Sequence, residues 1–516
     1  MIEPAGMPVT AAVTLRPDGE WRRLSPRMLL IHPVREVGRF IPALFGILVA
    51  GRNSGNDWWS LIALAAVVLL SLVRWFSTRY RITPSQVQLR TGLVRRRTIT
   101  APADRVRSVD VTAHALHRVL GLARVVIGTG TSDRKKEALS LDGLTAPAAA
   151  ALRAELLHRT PVAGSAGVVP AWGGPPAEQL VARLDPAWIR YAPFTLSGAI
   201  TGLAIIGLGW RVLSQADVHA DRAGAVHRAA RHLRETPLWL DVVQLAVGAL
   251  AVVTVLSIVG YGLAFWNFTL TRHQGGTLHV SRGLITARAT SIEERRLRGV
   301  ELLQLLPLRL VGGARLLAVA TGLRVGRGAE RGGELLMPAC PVEVAVGVAG
   351  VVLADPQLPM RAPLRRHGPV ARRRRFVRAL VPAGLVWLAL LLLAGPGPLP
   401  VGWAVAGLAV PAGAIALAND RYRGLGHALA GRYLISQSGS LHRRRVILET
   451  DGVIGWNLRQ TFFQRRAGLL TLTATTAAGR QSYQIVDLDP AEALLLAQQA
   501  RPGLLEQFLM NGEATP

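Results

Sequence analysis

The sequence has few of the residues from which covalent and metal sites are built. Cys340 is the only cysteine in 516 residues, which excludes an intrachain disulfide and a thiolate cluster. Lys135 and Lys136 are the only lysines among 60 lysines and arginines, so nearly all of the positive charge is arginine. No His-Glu-x-x-His motif occurs, and His114 and His117 have no carboxylate at metal-ligand spacing. We therefore expect neither a bound metal nor a cofactor.

Catalytic motifs are equally scarce. Ser132-Asp-Arg-Lys135 matches Ser-x-x-Lys, but it falls in a predicted polar turn and not on a helix above a cleft. Gly128-Thr-Gly130 lacks the third glycine and the following helix of a dinucleotide site. The long apolar segments contain no ionisable groups except arginines near their ends, such as Arg39, Arg74 and Arg378, whereas carriers place such groups inside their spans. We expect no catalytic residues and no enzyme, and we favour small-solute transport less than other roles.

Composition indicates a basic membrane protein with several domains. Half of the residues are apolar (50%) and the formal charge is +28, which suits a membrane protein whose basic segments face anionic lipid. Nucleic acid is the competing partner for so basic a chain. The arginines, however, recur beside apolar segments and are not gathered in one domain or on one helix face, so we expect no nucleic-acid partner. Residues 1–30 are polar and carry acids; we expect a cytoplasmic segment there and no cleavable signal peptide.

A spacing of 29 residues between two glycines occurs three times, at Gly92 and Gly121, Gly283 and Gly312, and Gly439 and Gly468. Between these glycines the three segments align without a gap, so that 105–111 falls opposite 296–302 and 452–458. A fixed internal register marks a duplicated unit, which we call the first, second and third repeat. Alternating apolar residues and turn signals predict short antiparallel strands in each repeat, and a segment that begins at or near a proline predicts a closing helix.

Each repeat follows a pair of apolar segments. They predict transmembrane hairpins at 31–76, at 190–266 with a polar loop, and at 376–418. The repeats are predicted as domains at 79–160, 267–355 and 430–516, with a Gly/Pro/Ala linker at 161–185 and a basic linker at 356–375. Arginines flank the first and third hairpins, which places both termini and all three repeats in the cytoplasm; the arginines in the loop of the second hairpin run against this topology.

Four elements of the first repeat carry a family resemblance: Tyr80-Arg-Ile-Thr83, Gly92-Leu-Val-Arg-Arg96, Arg105-Val-Arg-Ser-Val109 and Leu120-Gly-Leu-Ala123. They resemble the bacterial pleckstrin-homology (PH) family bPH2, formerly called DUF304. A hairpin before each unit is similar to the YdbT-type membrane proteins of that family. The resemblance implies a membrane protein of α plus β class. In it, each hairpin precedes a small PH-like antiparallel β sandwich or partly open barrel with a C-terminal helix.

The resemblance also implies a binding role, because PH folds often bind anionic headgroups through basic residues of an early hairpin loop. The candidates for lipid headgroups are Arg95, Arg96 and Arg97 in the first repeat and Arg443, Arg444 and Arg445 in the third. The alternative is that consecutive arginines point to alternate faces of a strand and keep its edge soluble.

The predicted function is that of a non-catalytic interaction or regulatory scaffold in the bacterial inner membrane, with a role in envelope homeostasis. Its expected partners are the anionic lipids of the inner leaflet and an unknown protein or a second copy of the chain. Recognition of anionic phospholipid headgroups is the alternative function.

Overall fold

The computed structural model describes residues 21–28, 69, 76–83, 85–92, 96–102, 106, 108–128, 139–158, 179–195, 207, 238–273, 276–322, 335–355, 359–394 and 400–505. Several predicted segments lie outside this set, apart from single residues and ends. They are the first hairpin, the first span and polar loop of the second hairpin, the linker up to residue 178, and Ser132–Lys135. The chain divides into two compact units, one drawn from 1–180, 267–294 and 322–324, the other from 181–266, 295–321 and 325–516. The second repeat is therefore shared between the units.

The first unit contains two antiparallel sheets. Strands β1 (Arg22–Arg23), β2 (Arg79–Ile82), β3 (Gln86–Thr91) and β4 (Arg97–Pro102) form a sheet in that order. The other strands are β5 (Ser108–Ala113), β6 (Leu122–Gly128), β7 (Leu139–Thr145), β8 (Gln179–Arg183), β9 (Thr269–His273), β10 (Thr277–Arg282) and β11 (Ala287–Glu293), in the order β7-β6-β5-β11-β10-β9-β8. The boundary between the units falls within β8, after residue 180. Helix α1 (Ala115–Val119) follows β5, and α2 (Ala146–His158) follows β7.

The second unit begins with a 3-10 helix at Pro186–Phe194 and α3 (Leu238–Phe265). The second repeat continues with β12 (Leu297–Leu305), α4 (Leu306–Leu310), β13 (Gly313–Ala320), β14 (Leu335–Pro341) and α5 (Val342–Leu353). Then come α6 (Pro369–Ala394), α7 (Gly402–Gly407) and α8 (Ala409–Arg423).

The third repeat completes the second unit. It comprises β15 (Gly426–Ala430), β16 (Tyr433–Ser438), β17 (His442–Glu449), β18 (Val453–Arg459), α9 (Phe462–Arg466), β19 (Leu470–Thr476), β20 (Ser482–Leu488) and α10 (Pro490–Ala500). The sheet orders are β14-β13-β12-β17-β16-β15 and β18-β19-β20.

Two sheets and a closing helix share one apolar core in the first repeat and again in the third. In the first repeat the core includes Val87, Val109, Val125, Leu141 and Leu152. In the third it includes Leu434, Val446, Leu472, Ile485 and Leu496. Leu152 and Leu496 belong to the closing helices, and the other side chains come from strands of both sheets, where the period-two pattern of the sequence points them into the core.

The closing helices begin where the sequence predicts. Before α2, the hydroxyl of Thr145 accepts the Ala148 N–H at 3.4 Å. Before α10, the carboxylate of Asp489 accepts the Ala491 N–H at 2.9 Å, and proline follows at the first helical position. Such caps satisfy N–H groups that the helix itself leaves unpaired.

The repeated glycines have matching conformations. At Gly92, Gly283 and Gly439 φ is +102°, +106° and +99°. A Cβ atom at Gly283 or Gly439 would lie 2.1 Å from the backbone carbonyl oxygen three residues later in the chain, so only glycine fits these turns. The first glycine of the register therefore adopts the same backbone conformation in all three repeats.

Within the described residues, three helices are long and apolar enough to cross a membrane: Ala246–Phe265, Pro369–Ala394 and Gly402–Arg423. The second begins before the predicted start at Phe376 and includes Arg372–Arg375, which the sequence predicts as part of a linker. Proline at the first turn and arginines of good helix propensity explain the longer helix.

Short strands also precede the predicted hairpins. β1 lies before the first hairpin and pairs with β2 after it, with Arg22 opposite Tyr80. β8 precedes the second hairpin and neighbours β9. Before the third, Arg365 forms a bridge with His427 in β15. In the chain, sheet residues thus precede and follow each predicted hairpin.

Candidate interaction surface: strand edges between repeats

In the first unit, a strand of the first repeat pairs with a strand of the second. β5 is antiparallel to β11, with Val111 opposite Ala289 and Asp110 opposite Thr290. Because β5 also pairs with β6, and β11 with β10, the two repeats share one continuous sheet. The edge of each repeat therefore acts as a binding surface for a strand, whose main-chain N–H and C=O groups complete the ladder.

In the second unit, the same kind of junction joins the second repeat to the third. β12 is antiparallel to β17, with Leu302 opposite Arg445. Glu301 of β12 is buried, and its carboxylate oxygens lie 3.6 Å from Arg444 Nε and 3.8 Å from Arg480 Nε. Burial raises the pKa of Glu301, and Arg480 partly offsets this shift. Arginines of the third repeat thus cover a carboxylate of the second.

The two junctions have the same register. In the glycine alignment, Leu302 is the counterpart of Val111, and Arg445 is the counterpart of Ala289. Leu302 pairs with Arg445 just as Val111 pairs with Ala289. Since a slip by one residue would turn every side chain to the other face, a shared register indicates one specific mode of association.

At each junction, an arginine in the short helix that follows the first of the two strands donates a hydrogen bond to the next repeat. We call this contact the arginine clasp. Arg118 in α1 donates to the carbonyl oxygen of Leu284, and Arg309 in α4 donates to that of Ser440 at 3.4 Å. The two acceptors directly follow equivalent glycines. Sequence reasoning missed these residues, although an arginine stands three positions before the second glycine in every repeat, the third being Arg465.

At the second junction, the clasp arginine Arg309 also binds a residue of a candidate membrane span. Asp420, in the last turn of α8, accepts from Arg309 Nη2 at 2.8 Å and from Arg443 Nη2 at 2.9 Å. Its second oxygen accepts from the Ser440 hydroxyl at 2.6 Å. This carboxylate therefore joins the second repeat, the third repeat and the span Gly402–Arg423 at one point.

The arginine candidates for headgroup binding have different surroundings. Arg95 lies outside the described residues, whereas Arg96 and Arg97 are exposed at the start of β4. Arg443, Arg444 and Arg445 lie together on β17 but are half-buried, and each has a protein partner: Asp420, Glu301 and the Ala362 carbonyl oxygen, respectively. Burial lowers the pKa of Arg443 and that of Arg445. Headgroup binding by this triplet stays a prediction, and it would require the arginines to exchange these partners for phosphate.

Large apolar side chains are exposed beside the clasps. The short helices α1, α4 and α9 carry Val119 (84% exposed), Leu310 (77%) and Phe463 (72%). Ile285, in the turn held by Arg118, and Leu441, in the turn held by Arg309, are exposed as well. We call these groups the apolar tips. The tip at Leu310 and Leu441 shares its clasp arginine with Asp420 and so lies at the end of a candidate span.

The residues that could bear other chemistry serve packing. No group of three or more His, Cys, Asp or Glu is placed to hold a metal ion within the described ranges. His117 is buried, with Nε2 3.2 Å from Asp142 Oδ1. Cys340 is also buried, and burial raises the pKa of its thiol to about 12, which keeps it protonated and unreactive.

Comparison with known proteins supports the resemblance found in the sequence. Residues 36–160 and 380–501 match the family model described as bacterial PH domain. These regions contain the first repeat and most of the third, together with spans of the hairpins before them. No curated protein and no solved structure matches the chain.

Proposed function

We propose that this chain, whose residues 36–160 and 380–501 belong to the bacterial PH domain family, is a non-catalytic, membrane-associated interaction module that binds protein strands at the edges of its sheets. One observation carries the proposal: its repeats bind each other by strand pairing twice, in one register, with one kind of arginine clasp. A domain that accepts a strand from its neighbour has the surface needed to accept one from a partner.

The proposed arrangement is three tandem units of hairpin and PH-like domain in the bacterial inner membrane. Apolar helices hold the chain in the bilayer, and the domains and both termini lie in the cytoplasm. Arg421 and Arg423 in the last turn of α8 support this orientation, because arginines next to a span favour the cytoplasmic side.

Strand binding predicts that a peptide copy of β11 will bind the full chain. In the first unit, β11 pairs with one edge of β5. β18 is the counterpart of β5 in the third repeat, so its outer edge is where the peptide should bind. We expect a fluorescent peptide of residues 283–294 to bind saturably to the chain in nanodiscs, measured by anisotropy. A dye at Leu458→Cys in β18 should report the same titration.

Two N-methylated peptides make this test specific. Alternate amides of a strand point to opposite sides, so methyl groups on one alternate set should weaken binding at least about tenfold, because several ladder hydrogen bonds of about 1 kcal/mol are lost. Methyl groups on the other set should have little effect. Equal loss with both peptides, or binding by a scrambled peptide, would contradict strand addition.

Association of the PH-like domains with lipid is a second candidate function, and the apolar tips favour it. Exposed apolar side chains beside arginines suit the interface of an anionic leaflet, where apolar groups enter the boundary and guanidinium groups contact phosphate. The connection from Arg309 to Asp420 brings one tip to the end of a candidate span.

Lipid association predicts that the tips contact the bilayer. We expect environment-sensitive dyes at Leu310→Cys and Phe463→Cys to shift to the blue in nanodiscs and to be quenched by nitroxide lipids. Leu495→Cys on α10 is the matched control, since Leu495 is an exposed apolar residue outside the tips. Quenching that is equal at all three positions would contradict insertion of the tips, and quenching that is independent of anionic lipid would contradict headgroup recognition.

A further inference from the structure

Among the described residues, two strand edges lack the neighbour that their counterparts in other repeats have. β18 of the third repeat is the counterpart of β5 and β12, and β4 of the first repeat is the counterpart of β11 and β17. In the part of the chain that the structure describes, β18 pairs only with β19 and β4 only with β3. One edge of each type that forms the internal junctions is therefore left over.

We propose that β18 of one chain pairs with β4 of a second chain, in the register of the two internal junctions. The inference rests on the proposed function and names the occupant of the edge. Leu458 is the counterpart of Leu302, and Thr98 is the counterpart of Arg445. Because Leu302 and Arg445 are paired, Leu458 of one chain lies opposite Thr98 of the other.

The burial of equivalent side chains shows what this pairing would cover. Leu302 is buried in the internal junction, whereas Leu458 is exposed. Ile454, also in β18, is 66% exposed, and Thr98 and Thr100 are exposed on β4. An edge strand with exposed apolar side chains is a template for pairing with another chain.

The clasp provides an independent observation. Arg118 and Arg309 each hold the repeat that follows them in the chain. Arg465 stands at the same position of α9 and is exposed. Two different features of the junction, the strand edge and the clasp arginine, are thus present and exposed at the same end of the third repeat.

The described residues of each chain offer one edge of either type, so the association is heterologous. Such head-to-tail contacts generate either closed rings or open filaments. The junction also contains a like-charge pair, because Arg459 falls opposite Arg97 in the same register. Like charges directly opposite each other on two strands are destabilising, and salt screens them.

Cysteine pairs test the proposal in the full chain. We expect oxidation to join a chain with Thr98→Cys to a differently tagged chain with Leu458→Cys, or Ile99→Cys to Asn457→Cys. Of two consecutive antiparallel pairs, one is the non-hydrogen-bonded type with Cα atoms about 4.5 Å apart, within the range of a disulfide. Cys340 can remain, because it is buried.

Three controls define the result. Val111→Cys with Ala289→Cys, the equivalent pair at an internal junction, should form an intrachain disulfide. Thr98→Cys with Ile454→Cys should give little product, because the two positions are out of register by four residues, or about 13 Å. Arg459→Glu replaces the repulsive pair by an attractive one and should raise the yield of mixed dimer up to about fivefold at low salt.

Mixed dimers from the in-register pairs alone, with lower yield for Arg465→Ala, would support the proposal. It would be overturned if the internal control formed but no mixed dimer did, if the out-of-register pair were equally efficient, or if Thr98→Cys and Leu458→Cys in one chain gave only an intrachain bond. Binding of the 283–294 peptide without mixed dimers would also overturn it, while leaving strand binding as the function. Loss of both would contradict the proposed function itself.

Discussion

Replacing Asp487 by alanine is expected to lower the free energy of unfolding of the second unit by about 3–5 kcal/mol, the usual cost of removing one partner from a buried ion pair. Asp487 is 0% exposed. Its carboxylate forms ion pairs with Arg374 and with Arg375, the latter at 2.6 Å between Oδ2 and Nη2. Gln464 Nε2 donates to Oδ1 at 2.9 Å.

The effect is large because two cations depend on one carboxylate. Arg374 and Arg375 are themselves mostly buried, and Arg378 and Arg421 are close enough to Arg375 to repel it. Without Asp487, this cluster would hold uncompensated positive charge between α6 and the third repeat. The two ion pairs also attach a candidate span to the third repeat, since both arginines belong to α6 and Asp487 belongs to β20.

Two matched variants separate charge from other effects. Asp487→Asn keeps the shape of the side chain and suits the positive φ of +65° at this position. It should therefore keep the backbone conformation but lose most of the stability that the ion pairs of Asp487 contribute. Asp489→Ala removes a nearby aspartate that only caps α10, and should cost about 1 kcal/mol. Denaturant unfolding of the purified chain in detergent measures all three. A loss for Asp487→Ala no greater than that for Asp489→Ala would contradict the argument.

The partners of Arg374 and Arg375 show what a local sequence pattern cannot reveal. A run of four arginines before an apolar segment is typical of a topology signal, which is how we interpreted it. The run does not identify the carboxylate that neutralises two of its members, because Asp487 is more than a hundred residues away in the chain. Charges that look solvated in sequence are buried here because tertiary folding brings an acid to them.

The strand partners were hidden for a similar reason. Alternation of apolar residues predicts a strand and its buried face, and the glycine spacing predicts the turns that limit it. Neither indicates which of several edges a strand will meet, since the ladder is made by backbone groups common to all residues. The recurring arginine at Arg118, Arg309 and Arg465 was the available signal, because a charged residue in one register of every repeat needs a shared acceptor.

Lowering the pH from 7.5 to 5.5 is expected to destabilise the second unit by roughly 2–3 kcal/mol through His367 and His427. Both side chains are buried, and His367 Nε2 lies 3.2 Å from His427 Nδ1. Burial is the main cause that lowers the pKa of each to about 4; the second cause is His427 for His367 and Arg365 for His427. Both rings are therefore neutral in the folded protein at pH 5.5.

The sign of the effect follows from which state binds the protons. In the unfolded chain, histidine titrates near pH 6.5, so between about pH 6.5 and 4 the unfolded state binds more protons and is favoured as the pH falls. The stability is fully present above pH 6.5 and lost below it, by about 1.4 kcal/mol per histidine at pH 5.5. Glu492, with Oε1 3.6 Å from His427 Nε2, opposes the loss only in part, because Arg365 binds the same oxygen at 2.8 Å.

The slope of stability against pH tests this argument better than stability at one pH. A variant with His367→Gln and His427→Gln has lower stability at every pH if packing suffers, but it should lose most of the pH dependence. His279→Gln in the first unit is the matched control: burial is the main cause that lowers the pKa of His279 to about 3, yet the residue belongs to the other unit. Unfolding should be followed by a dye on the second unit. An unchanged slope in the double variant would assign the pH dependence to groups other than this pair.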